Sequence, residues 1–131
     1  MNAAAQDADA GPAQMVLVVE DEPLVRETIV CELEEAGFGV LEAETAETGL
    51  AILKQHPVSL LFTDIRLPGS MDGWDLAEAA RSLDPKLPVI YATGFTAEDP
   101  RLVPQAVLLR KPYRPSAVLA VIRKLMGGQT N

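Results

Sequence analysis

With 131 residues, 48% of them hydrophobic and 23% charged, the chain has the size and balance of one globular domain with a single core. The formal net charge of −8 repels nucleic-acid phosphates, and no basic stripe with interleaved aromatics offsets it, so neither DNA nor RNA is an expected partner. No apolar run approaches the roughly 20 residues of a membrane span. The opening MNAAAQDADAGPAQ also lacks the basic and apolar blocks of a signal peptide, and a cytoplasmic location is expected.

Residues 1 to about 13 offer little to bury and are expected to be disordered, leaving a domain over 14–127 and a short tail over 128–131. Met15 to Val19, MVLVV, is too short for a buried helix and fits a strand covered on both faces. Pro23 opens a helix in which Val25, Ile29, Leu33 and Ala36 recur at helical spacing, and Gly37 stops it. FGVLEA gives a second strand. Thr45 is then placed as the N-cap of a helix that turns Ala46, Leu50 and Leu53 inward.

VSLLFTD is a third strand ending in a carboxylate, and IRLPGSMDG is a loop by its proline and glycines. A helix from about Asp72 to Leu83 turns Leu76, Ala80 and Leu83 to the core, with Asp72 and Asp75 spaced as a cap and its N3 acid. LPVIYAT and AVLLR are the fourth and fifth strands. Between them Pro100 and Pro104 leave room only for a short or irregular fourth helix, and the stretch from Thr96 to Gln105 is expected to be mobile. The last helix runs from about Ser116 to Met126 and ends at Gly127 and Gly128. Strands alternating with helices imply an α/β fold, a doubly wound parallel sheet with right-handed crossovers and helices on both faces.

In such a sheet, ligands bind beyond the carboxyl ends of the strands. Glu20 and Asp21 follow the first strand, Asp64 ends the third, Thr93 the fourth, and Lys111 follows the fifth. Carboxylates about 4 Å apart repel by roughly 4 kcal/mol at an effective dielectric near 20, so they require a proton, a cation or Lys111 between them. Oxygen ligands with room for water suit Mg²⁺. Beside that charge the Asp64 carboxylate can act as a nucleophile toward a phosphoryl group, with Lys111 as a second cation and Thr93 as a hydroxyl donor.

The blocks LVVEDEP, LLFTDIRLPGSMDG, VIYATG and LLRKPY resemble, in order and spacing, the four signature blocks of bacterial response-regulator receiver domains. The resemblance covers nearly everything from Met15 to Met126. It implies a flavodoxin-like five-stranded sheet of order 2-1-3-4-5 and phosphotransfer from a sensor histidine kinase or a histidine phosphotransfer protein. Carried over by position, it implies Asp64 as phosphoacceptor and a Mg²⁺ site of Glu20, Asp21, Asp64 and the Arg66 backbone carbonyl. Thr93 and Lys111 become the switch hydroxyl and lysine, with a cis Lys111–Pro112 bond. Two departures stand out. Leu108 occupies the position where many receivers carry an aromatic, and the stretch between Thr93 and Lys111 is about a turn short. YATGF resembles a single-domain stress-signalling subgroup with a Phe-Ala-Thr-Gly-aromatic run, in which ordering of residues 94–105 would replace the aromatic swing.

Several residues read more plainly. Cys31 is an inert thiol, His56 an exposed loop histidine, and Asp72 and Asp75 are caps. Glu22 is a first-turn acid. Trp74 and Tyr113 flank the site as packing or as partner contacts. The expected protein is a signalling switch rather than an enzyme, acting through an unidentified downstream protein, with a homodimer through the last strand and helix as one further expectation. GGQTN follows the last helix, so no effector module is expected, whether the chain stands alone or derives from a hybrid kinase. A pseudo-receiver that is never phosphorylated is the alternative. An aspartyl-phosphate hydrolase of the haloacid-dehalogenase type would need an acid where Arg66 stands.

Overall fold

Short apolar runs alternate with amphipathic ones, and each run becomes one element. In chain order these are β1 (Met15–Val19), α1 (Pro23–Glu35), β2 (Gly39–Ala43), α2 (Ala46–Gln55) and β3 (Leu60–Asp64). They continue as α3 (Gly73–Leu83), β4 (Val89–Thr93), β5 (Val107–Arg110) and α4 (Pro115–Gly127). The structure, a computed structural model, describes residues 14–94 and 100–127. The expectations of a disordered start over 1–13, a tail over 128–131 and mobility over residues 96–99 lie outside the described residues.

All five strands are parallel, in the order β2-β1-β3-β4-β5. β3 and β4 are buried along their whole length and β1 from Val16 onward, which explains why these strands read as continuous apolar runs. Alternate residues serve opposite faces. Leu17, Val19, Leu61 and Tyr91 pack with Leu76, Ala77 and Ala80 of α3. Val16, Val18, Phe62 and Ile90 pack with Ile29 and Leu33 of α1 and Val118 and Ile122 of α4.

The helix starts match the sequence. Thr45 Oγ1 accepts from the Thr48 N–H at 3.1 Å, and Asp72 and Asp75 form a reciprocal capping box at 2.9 and 3.1 Å. Two helix interiors differ from expectation. On α1 the third fully buried position is Val30, while Ala36 is half-buried just past the helix end. On α3 Leu83 is 51% exposed, because it is the last helical residue and Leu87 in the following turn takes the core position at 2%.

Residues 100–106, the described part of the connection between β4 and β5, contain no helix. Val103 anchors them: it is buried, and its N–H donates to Tyr91 Oη at 3.1 Å. Arg101 reaches across to α3, 3.0 Å from Asp75 and 2.7 Å from Glu78.

Candidate functional site

The parallel strands bring four chain segments to one edge. β1 runs into Glu20, which is 0% exposed; β3 ends in Asp64, 4% exposed; β4 ends in Thr93, 3% exposed. Beyond β5 the Lys111 N–H donates to the Thr93 carbonyl at 2.7 Å, which carries the strand pairing one residue past Arg110 and aligns Lys111 with the edge. The Lys111–Pro112 bond is cis, as the resemblance implied.

The backbone around the acids is held closely. Arg26 Nη1 donates to the Glu20 carbonyl at 2.6 Å, while the same side chain pairs with Glu42 at 3.1 Å. The Glu22 N–H donates to Glu20 Oε2 at 3.1 Å. Gly73 opens α3 directly against β3: its N–H donates to the Ile65 carbonyl at 2.7 Å, and a Cβ there would overlap the Asp64 carbonyl oxygen. Only glycine permits that approach.

One oxygen each of Glu20, Asp21 and Asp64 lie within 4.8 Å of one another. Lys111 Nζ stands 2.9 Å from Asp64 Oδ1 and 3.5 Å from Glu20 Oε1. Both oxygens are buried, and the one ammonium that reaches them is shared between the two. Burial, reinforced by the neighbouring Asp64 carboxyl, pushes the Glu20 carboxyl up to about 7. Burial opposes the Lys111 charge, yet Asp64 and Glu20 outweigh it and hold the ammonium above its ordinary value.

Three carboxylates against one ammonium leave two negative charges when all are ionised. That deficit, at two buried oxygens that share one ammonium, fits a divalent oxygen-seeking cation such as Mg²⁺. An open cleft of about 450 Å³ lies over these groups, lined among others by Asp21, Asp64, Arg66, Thr93, Gly94 and Lys111. It leaves room for water and a phosphoryl group beside the acids.

The structure thus brings Glu20, Asp21, Asp64, Thr93 and Lys111 together, with Arg66 on the cleft wall and its side chain exposed. Leu108 is half-buried on β5, paired in register with Tyr91. Trp74 is a packing residue, 7% exposed, with its ring 4.8 Å from that of Tyr91. Tyr113 sets its ring edge-on to Phe62 at 6.0 Å; its hydroxyl is buried without a partner, and burial raises its pKa. His56 is exposed at the end of α2, and Cys31 is exposed on α1. Glu22 stands at the N-cap of α1 instead of in its first turn, and its side chain makes no cap bond. Sequence reasoning missed Arg26 and Gly73. Gly73 follows the cap Asp72 and carries a readable signal, whereas the long-range role of Arg26 has none.

The model of the response regulator receiver domain family matches residues 16–123, and the chain belongs to that family. The response regulator receiver protein CpdR of Brucella abortus (strain 2308) is 34% identical over 115 residues, 85% of this chain and 95% of that protein. A probable transcriptional regulatory protein of Picosynechococcus sp. is 31% identical over 134 residues, covering 94% of this chain but 53% of that longer protein. Among solved structures, a response regulator receiver protein from Sinorhizobium medicae matches with a TM-score of 0.83 and 28% identity, over 88% of this chain and 95% of that one. Receiver domains are phosphorylation-dependent switches of two-component signalling, generally without enzymatic output. They bind Mg²⁺ in an acidic site and interact with histidine kinases or phosphotransfer proteins. Among the described residues no helix is long and apolar enough to cross a membrane.

Proposed function

We propose that the chain is a switch whose Asp64 accepts a phosphoryl group from a histidine kinase or phosphotransfer protein and whose output is binding to another protein. The carrying observation is the buried Glu20–Asp64 pair facing a single ammonium at 3.5 and 2.9 Å. Such a site carries excess negative charge until a divalent cation joins it, and that cation then lets a phosphoryl group approach the acids. Glu20, Asp21, Asp64 and the Arg66 carbonyl would hold Mg²⁺, which would supply charge neutralisation on the incoming phosphoryl oxygens.

This chain's own residues do the rest. An Asp64 carboxylate oxygen attacks phosphorus, the bond from phosphorus to the donor nitrogen breaks with its electron pair going to the imidazole, and an acyl phosphate forms on Asp64. Lys111, already beside Asp64, stays to pair with the added charge. Thr93 donates its hydroxyl to a phosphoryl oxygen. With leucine at position 108, the readout does not use an aromatic swing at that position. The segment over residues 94–105 is the element that responds, in keeping with the stress-signalling subgroup that YATGF resembles. The domain spans 14–127 and works in the cytoplasm, and self-association uses β5 and α4.

The test is intact mass after incubation with Mg²⁺ and acetyl phosphate. A single phosphoryl adduct on the wild type, absent in Asp64→Asn and not formed when EDTA is present from the start, is the expected result. Equal labelling of both proteins would remove Asp64 as the acceptor. No adduct under any donor would favour the pseudo-receiver.

A further inference from the structure

The loop from Ile65 to Asp72 leaves the sheet at Asp64 and returns to the same place. Gly73 closes it, with its N–H on the Ile65 carbonyl at 2.7 Å and no room for a Cβ beside the Asp64 carbonyl. Arg66, on this loop, forms part of the cleft wall. Leu67 and Met71 pack half-buried against the core, whereas Pro68, Gly69 and Ser70 are exposed.

The middle of the loop is fastened from outside by one side chain. Glu47 Oε2 accepts from the Ser70 N–H at 2.9 Å, from the Ser70 hydroxyl at 2.8 Å and from the Met71 N–H at 3.1 Å. Among the described residues, residues 67–71 take no other hydrogen bond from outside their own loop. Gly69 is shaped to this contact. Its φ is +102°, and a Cβ would lie 2.8 Å from Glu47 Oε1, so both its backbone and its missing side chain accommodate the carboxylate.

Glu47 itself sits in the first turn of α2, where a helix N-terminus favours an anion. Its own N–H and then the Ser70 hydroxyl lower its pKa, so the acceptor stays charged at neutral pH. No catalytic or metal-binding role requires this residue, and it touches no proposed ligand. Its three bonds nevertheless fix the segment that separates Arg66 from α3.

We propose that Glu47 is a positioning residue, a clamp from α2 that holds the 65–72 loop in the shape that presents the Arg66 backbone carbonyl to the cation site. This rests on the reading of the acidic cleft as a Mg²⁺ site. Without the clamp the loop stays tied at Asp64 and Gly73 and through Leu67 and Met71, while its middle samples other shapes. The protein stays folded, and Mg²⁺ binding loses a preorganised ligand.

The test compares wild type, Glu47→Ala and Glu47→Gln by amide hydrogen exchange without metal, Mg²⁺ titration calorimetry and acetyl phosphate kinetics, with melting temperatures as a control on folding. In Glu47→Ala the amides of Ser70 and Met71 are expected to exchange at least about tenfold faster. The Mg²⁺ Kd is expected to rise about fivefold, below the range for groups that contact a metal ligand directly. The Mg²⁺ concentration for half-maximal phosphorylation should rise in step while the phosphorylation rate constant at saturating Mg²⁺ stays put. Glu47→Gln, which keeps a carbonyl acceptor, should recover part of each loss.

Unchanged exchange in Glu47→Ala would overturn the clamp without reference to any metal. Faster exchange with an unchanged Mg²⁺ Kd would overturn its role in positioning Arg66. A wild type that binds no Mg²⁺ would overturn the metal site itself, a failure distinguishable from the other two.

Discussion

Two acid clusters flank the β3–α3 loop, and they have opposite electrostatics. Asp72, Asp75 and Glu78 lie along the start of α3, where each finds its own partner: the two aspartates cap the helix reciprocally, and Arg101 forks onto Asp75 and Glu78. Capping and Arg101 hold Asp75 below its usual range. Glu20 and Asp64 are buried at the sheet edge with one lysine between them, and Glu20 is pushed up to about 7. The same residue type stabilises the fold in the first cluster and stores unsatisfied charge in the second. A self-satisfied cluster is structural, and an unfinished one implies a ligand.

The comparison can be broken from the strong end first. Asp64→Asn should abolish the phosphoryl adduct outright, as read by intact mass, with the far-UV circular dichroism unchanged. Lys111→Ala leaves two buried carboxylates facing each other. It should lower apo stability at pH 8 by about 2 kcal/mol in urea melts, below the range for a fully buried pair because Lys111 is partly exposed. Some labelling should persist, uncoupled from the conformational response.

The satisfied cluster gives smaller effects. Asp72→Ala removes one side of the capping box and should cost about 1 kcal/mol by the same melts. Arg101→Ala breaks exposed pairs and should cost less than about 1 kcal/mol, a difference that shrinks in high salt. Neither substitution should change the Mg²⁺ affinity. A large loss of affinity in either would merge the two clusters into one functional unit.

The site was legible in the sequence because each of its residues lies at the end of an apolar run, and parallel topology sends all such ends to one edge. Glu20, Asp64, Thr93 and Lys111 needed no side-chain geometry to be grouped. The caps at Thr45 and Asp72 were equally readable, since capping depends on spacings of three residues. What escaped depends on distance across the fold. Glu47 meets Ser70 across 23 residues, and Arg26 reaches back to a main-chain carbonyl that no pattern marks. Leu83 kept helical periodicity to the end of α3, but its core position went to Leu87 once the helix had stopped.

The central claim is that the Glu20–Asp21–Asp64 group is completed by a divalent cation, and Mg²⁺ titration calorimetry at pH 6 and pH 8 tests it most directly. In the folded protein without metal, Glu20 has a carboxyl raised from 4.5 to about 7. It therefore holds its proton at pH 6 and has lost it at pH 8. The raised value also means that apo stability declines as pH climbs from about 4.5 through 7. Since Mg²⁺ must displace that proton, the account expects binding about tenfold tighter at pH 8 than at pH 6, with proton release on binding at the lower pH. No binding at either pH would contradict it, whereas equal affinity at both would keep the cation and remove only the raised Glu20 pKa.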